Sequence, residues 1–176
     1  MSWIKISNNV DEITSLSQRW LTGSGDPVSN SDLVDEIQEY IREGGKVFVG
    51  TDSQIISDGC IFATAICLHK ASGKKYATYF YNRIKEKQDY RGNLRVRIMK
   101  EVQKSIDVGL EILELLPDAD IEIHVDIGKT SRSHTRTFVD SVTGWLTGVG
   151  FGCKIKPNSW ASSAVADHHT KRFKTA

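Results

Sequence analysis

The sequence is poor in the features that mark secreted, membrane-spanning or disulfide-stapled chains. Its 176 residues include three cysteines, Cys60, Cys67 and Cys153, an odd number with no CxxC pair. Cys60 and Cys67 fall on one expected strand. At about 3.3 Å of rise per residue they stand too far apart for a bridge, and their odd spacing sends them to opposite faces. Buried thiols in a reducing compartment are therefore expected. No apolar run approaches the roughly 18 residues that cross a bilayer, so no membrane association is expected. The start, Met1-Ser2-Trp3-Ile4-Lys5, lacks the basic-then-apolar layout of a signal peptide, and the cytoplasm is the expected location. Neither charge sign is in excess, with 23 Lys and Arg against 22 Asp and Glu and a net charge of +1. That excludes a uniformly basic nucleic-acid coat but leaves room for a local basic groove. Repeats, low-complexity tracts and zinc-type Cys/His spacing are also lacking.

What the chain does contain is ordinary globular patterning, with 39% hydrophobic and 26% charged residues, enough for one domain with its own core. Residues 1–28 are weakly patterned and read as an N-terminal appendage, with a short helix over Asp11–Leu21. Residues 29–176 read as a single domain. Leu33, Val34, Ile37, Tyr40 and Ile41 recur at helical spacing, with Asn30 or Ser31 as N-cap and Gly44-Gly45 as the stop. Lys46–Gly50, Gly59–Lys70 and Lys74–Ile84 read as strands. The short Ala71-Ser72-Gly73 turn makes the second and third antiparallel. A long helix spans Leu94–Leu116 and ends at Pro117. Ile121–Val125 alternates as a fourth strand, Ser133–Trp145 is helical, Phe151–Lys156 is a fifth strand, and a last helix runs from Trp160 to Phe173 with Ser159 as N-cap. An antiparallel trio followed by alternating helices and strands predicts an α/β fold, a mixed sheet with helices on its faces. Ligands of such sheets bind near the carboxyl ends of the central strands.

Four acidic residues occupy places that patterning does not ask for. Asp52 and Asp126 follow the first and fourth strands, where side chains face such a cleft. Glu101 lies on the inward stripe of the long helix, Leu94, Ile98, Glu101, Ser105, Val108, Ile112. Asp167 stands in the last helix on the line of Trp160, Ser163 and Ala164, of which the small Ser163 and Ala164 allow close approach to the sheet. An aspartate after a strand is also a common turn former, so only the four together, in this topological order, point to a site. Carboxylates gathered in a half-buried cleft repel one another and need a cation, and oxygen-only ligation suits Mg²⁺ or Mn²⁺. A pair of such ions can cleave a phosphodiester.

Strand-Asp, hairpin, helix-Glu, strand-Asp and helix-Asp in this order resembles the ribonuclease H-like nuclease superfamily. Within it, the chain resembles the bacterial YkuK family of predicted ribonuclease H-like nucleases. The residues that carry the match are Val49-Gly50-Thr51-Asp52-Ser53-Gln54, His124-Val125-Asp126-Ile127-Gly128 with Ser131-Arg132-Ser133, and Lys154-Ile155-Lys156-Pro157 followed by Ala166-Asp167. They span about residues 45–171. The resemblance implies a five-stranded mixed sheet in which the first strand is central, flanked by the second and fourth, with strands one to three antiparallel and four and five parallel to the first. It also implies that Asp52, Glu101, Asp126 and Asp167 are catalytic metal ligands for two Mg²⁺ or Mn²⁺ ions. Glu111 and Glu114 share the helix of Glu101, whose place near the amino end favours it.

Basic residues accompany the cluster. Lys129, Arg132, His134 and Arg136 lie in the loop after Asp126, Arg91, Arg95 and Arg97 lie at the start of the long helix, and Lys171 and Arg172 follow Asp167. Such side chains suit the phosphates of RNA, DNA or a hybrid, although exposed loops and helix ends are often basic for solubility alone. His168 and His169 offer proton transfer or mere helix surface. Gly128-Lys129-Thr130 is not a phosphate loop of the P-loop type, because Ile123 stands where that motif needs glycine. The expected function is divalent-metal-dependent phosphodiester hydrolysis of nucleic acid. The alternatives are a non-catalytic nucleic-acid-binding module that keeps the fold and, third, a fragment of a nucleotide-binding kinase or ATPase.

Overall fold

A computed structural model describes residues 15–70, 77–130 and 132–171. Its elements in chain order are β1 (Trp20–Thr22), β2 (Pro27–Val28), α1 (Asn30–Arg42), β3 (Gly45–Ile56), β4 (Gly59–Lys70), β5 (Thr78–Glu86), α2 (Leu94–Leu115), β6 (Ile121–Gly128), a 3-10 turn (Arg136–Phe138), α3 (Val139–Val149), β7 (Gly152–Lys156), a π-helical segment (Ala161–Ala166) and α4 (Asp167–Lys171). The strands form one sheet in the order β2-β1-β5-β4-β3-β6-β7. β3 lies antiparallel to β4 and parallel to β6, and β7 is parallel to β6. The mixed sheet and its central first long strand are as expected.

The sheet has seven strands rather than five, because the segment before α1 adds two. β1 pairs with β5 through Leu21↔Tyr81 and Thr22↔Phe80, and β2 pairs with β1. The expected helix over Asp11–Leu21 is not formed in its described part. Leu16 and Trp20 have helical spacing, but both are buried in the main core, and the Glu111 carboxylate takes the N–H groups of Ser15 (2.5 Å) and Leu16 (2.7 Å). A long-range partner for these donors outweighs local propensity. Residues 11–14 of that expected helix, the 71–73 turn, residues 74–76 of the expected third strand, Ser131, and Arg172 and Phe173 at the end of the last helix lie outside the described residues.

Local chemistry moves three boundaries. The N-cap of α1 is Ser29, not Asn30 or Ser31: its hydroxyl accepts from Asp32 N at 3.1 Å. The helix expected from Ser133 starts later, because Ser133 and Thr135 hydroxyls bond each other (2.7 Å) and Thr135 Oγ1 accepts from Gly128 N (3.0 Å), a loop arrangement that competes with helix. Ser159 caps the last helical segment through its carbonyl rather than its hydroxyl, accepting from Ser162 N (3.2 Å) and Ser163 N (3.0 Å).

Alternation along the strands sorts the two faces. Val47, Val49, Ile121, Ile123 and Val125 belong to the main core with the inner faces of α1, α2 and α3. The opposite face carries Ala65 and Cys67, against Ala161 and Ala166 of the π-helical segment. That segment lies close on β3: a Cβ on Gly50 would come within 2.5 Å of Ser162 N and 2.8 Å of the Ala161 carbonyl carbon. The inward residues are Ala161, Ser162 and Ala166, not Ser163 and Ala164, because π winding rotates the small-residue stripe away from its α-helical position.

Candidate active site

The site forms where β3 and β6 part. Their parallel pairing runs from Val47↔Ile121 to Gly50↔His124, and the same offset carried two residues further sets Asp52 level with Asp126. On the other side of β6, Val125↔Ile155 is followed by Gly128↔Lys156, so Asp126 sits in an irregularity of the ladder. Both aspartates therefore lie inside strands that continue past them, to Ile56 and Gly128, rather than after strand ends as the sequence suggested. β3 continues because β4 pairs with it over its whole length. A cleft of about 460 Å³ opens there, and Asp52, Glu101, Asp126 and Asp167 all line it.

Four elements deliver the four carboxylates. Asp52 and Asp126 point to the face that carries α4, as their partners Thr170 and Lys156 indicate, and Asp167 opens α4 itself. Glu101 comes from α2 on the opposite face, buried along its expected stripe with Ile98, Ser105, Val108 and Ile112. It reaches the cleft beside Ser53, whose hydroxyl donates to Glu101 Oε1 at 2.5 Å. Behind it the Ser105 hydroxyl bonds both the Glu101 carbonyl (3.1 Å) and Thr51 Oγ1 (2.8 Å), which fixes the helix to β3 at this level.

Crowding shifts the acids. Burial raises the Asp52 pKa to about 6, the Thr170 hydroxyl at 2.9 Å opposes it, and the charges of Asp167 and Asp126 add to it. Burial likewise raises Glu101 to about 8, with Asp52 as the next cause, against the pull of Ser53 and Arg97. The other two acids lean on lysines. Lys156 Nζ lies 2.9 Å from Asp126 Oδ1, a buried oxygen with no well-aligned hydrogen bond. Lys171 Nζ lies 2.5 Å from Asp167 Oδ2. Each acid thus has its own neighbour, and among the described residues no three Asp, Glu, His or Cys groups close on a common point. The donor set still fits a hard divalent cation: all oxygen, anionic, mutually repelling, and including one buried oxygen without an aligned donor.

The basic residues divide. Arg132, His134 and Lys171 line the cleft. Lys129 and Arg136 border a separate shallow depression with Asp140, and Arg95 is exposed on the first turn of α2, outside the cleft lining. His168 is exposed, whereas His169 is buried and stacked on Tyr81 with ring centroids 3.5 Å apart, away from the cleft lining. Arg97, expected only as a phosphate-holding side chain, is instead tied to β3: its Nη1 donates to Ser53 O (3.1 Å) and lies 3.3 Å from its Oγ. Sequence reasoning gave no site role to Ser53, Thr170 and Lys156. Spacing held a signal for Arg97 and Thr170. Arg97 stands four residues before Glu101 and Thr170 three after Asp167, on the same helix faces.

A family model described as ribonuclease H-like matches residues 30–171. Along an aligned stretch of 159 residues the chain is 28% identical to the uncharacterized protein YkuK of Bacillus subtilis (strain 168), covering 80% of this chain and 90% of that one. No solved structure gives a significant match.

Proposed function

The chain belongs to the ribonuclease H-like family, in its YkuK-type branch, and from that membership we propose that it hydrolyses phosphodiester bonds of nucleic acid with divalent cations. A nucleic-acid-related, nuclease-type role is what the family gives at the coarse level. The finer reading is supported by one observation: four carboxylates from four separate elements line a single cleft, with Arg132, His134 and Lys171 around it.

In this reading Asp52 and Asp126 would share two Mg²⁺ or Mn²⁺ ions, with Glu101 and Asp167 completing their coordination. Such ions, when bound, activate a water and stabilise the leaving oxygen of the phosphodiester. The chain's own groups do the positioning. Thr170 and Ser53 hydroxyls hold the Asp52 and Glu101 carboxylates, and Arg97, tied to Ser53, fixes the mouth of α2 against β3. Arg132 and His134, on the loop after β6, supply donors for backbone phosphates, which bind without regard to sequence.

Asp52→Asn tests the proposal. Cleavage of labelled RNA, DNA, hybrid or branched substrates in Mg²⁺ or Mn²⁺ should fall at least about 100-fold, since even groups that merely support metal ligands are worth 10- to 100-fold. The unfolding midpoint should not fall, because an amide keeps the acceptor for Thr170 and removes a buried charge. Unchanged cleavage in that variant would sink the assignment.

A second reading, a nucleic-acid-binding module without turnover, is favoured by the Lys156–Asp126 and Lys171–Asp167 pairs, which give these acids counter-charges of their own. Calorimetric titration with Mn²⁺ separates the two. Absence of binding together with absence of cleavage selects the module.

A further inference from the structure

The cleft contains four carboxylates, and two of its ammonium groups sit directly on them. We propose that Lys156 and Lys171 are built-in counter-cations: they neutralise Asp126 and Asp167 in the metal-free protein, give way to divalent cations, and then hold substrate phosphates. The inference rests on the metal-binding reading of the cleft and assigns it a coupling between cation and nucleic-acid binding.

The fold puts each lysine where it is by a different route. Lys156 is the last residue of β7, and it pairs with Gly128 after the irregularity that leaves Asp126 without an opposite residue. The same irregularity that leaves Asp126 without an opposite residue thus brings Lys156 beside it. Lys171 follows Asp167 by four residues on α4, the spacing that brings helix side chains together. Neither lysine is locked in place. Their side chains are 51% and 66% exposed, so each ammonium can leave its carboxylate for water with little cost. Arg97 contrasts with both, being held by the carbonyl and hydroxyl of Ser53.

In this proposal a divalent cation takes the oxygen that the ammonium occupies, Asp126 Oδ1 or Asp167 Oδ2. Mg²⁺ binds carboxylate oxygen at about 2.0–2.1 Å, and a dication and an ammonium cannot share one oxygen at such range without strong repulsion. Cation binding must therefore release the lysine. The released group remains tethered at the cleft, beside Arg132 and His134, where a backbone phosphate is its natural partner. A phosphate that draws the lysine away leaves the carboxylate freer for the cation, and by reciprocity the cation strengthens nucleic-acid binding by the same factor.

The test is calorimetric titration with Mn²⁺ alone, on the parent chain and on Lys156→Met, Lys171→Met and Lys156→Arg. Each Met variant should bind Mn²⁺ about five- to tenfold tighter, the weight of one nearby positive charge removed from a half-exposed site. Lys156→Arg, which keeps the charge, should stay close to the parent. The Met variants should also melt at lower temperature without metal and recover with Mn²⁺. Fluorescence anisotropy with a phosphorothioate oligonucleotide completes the cycle: Mn²⁺ should raise the parent's affinity, and the double Met variant should lose most of that rise. Met variants that bind Mn²⁺ no more tightly than a parent that does bind it overturn the inference alone. A parent that gives no Mn²⁺ heat overturns the metal-binding reading and this inference with it.

Discussion

Glu101 and Asp52 hold protons to higher pH than free carboxyls do, and burial is the first cause for each. Asp52 moves from 3.8 to about 6 and Glu101 from 4.5 to about 8. Across that interval the folded chain keeps protons that the unfolded chain has released. Stability of the metal-free protein should therefore be greatest below the unfolded values and fall as pH rises through the folded ones. Urea unfolding in EDTA between about pH 5 and pH 8 should give a declining midpoint, and Glu101→Gln should remove most of the slope. A flat profile for the parent would contradict the raised proton affinity. Added Mn²⁺ should stabilise more at the alkaline end, because there it displaces fewer protons. At this scale the sequence singled out Glu101 and Asp167 as charges in an apolar or small-residue pattern, and Asp52 and Asp126 as acids expected at strand ends. It was silent on Lys156, since nothing in Lys154-Ile155-Lys156 says which lysine lies beside Asp126. That choice depends on the irregularity in the neighbouring strand.

At the scale of elements, the contact between β3 and the π-helical segment decides where Asp167 sits. Gly50 makes it possible, because any Cβ there meets the backbone of Ala161 and Ser162 rather than a side chain that could turn aside. Gly50→Ala should destabilise the fold by about 1–3 kcal/mol, the usual cost of overpacking a tight contact, read by urea unfolding at fixed pH. It should also lower cleavage more than stability accounts for, since the segment leads directly into α4. Wild-type stability and activity in that variant would remove the close approach from the argument. The segment also marks how far periodicity carries. Small residues near Asp167 were recognisable, but their facing followed from π winding, which local spacing cannot announce. The missed β1 is the complementary case: Leu16 and Trp20 have helical spacing, and strand pairing to β5 together with the Glu111 carboxylate outweighed it.

For the whole molecule, a net charge of +1 goes with a cleft whose lining mixes four carboxylates with Arg97, Arg132, Lys156 and Lys171. In the proposed function, binding of nucleic acid should depend on those cations and therefore on salt. Arg132→Ala should weaken binding about equally for all sequences and reduce the slope of log affinity against log salt by about 1, because one phosphate contact releases about one counterion. Anisotropy titrations over a salt series check this, and an unchanged slope would place Arg132 outside the interface. No helix among the described residues is long and apolar enough to cross a membrane.

From residue 30 onward the sequence by itself determined the order of strands and helices and the mixed character of the sheet, and it picked out the four carboxylates, because hydrophobic period and misplaced charge are local signals. Only the tertiary structure decided that the sheet takes in residues 20–28, that Asp52 and Asp126 lie level where two strands part, and that lysines from β7 and α4 sit on their neighbours. Those are facts of register and separation between segments far apart in the chain. They are set by burial and hydrogen bonding across the sheet, to which no local pattern is bound.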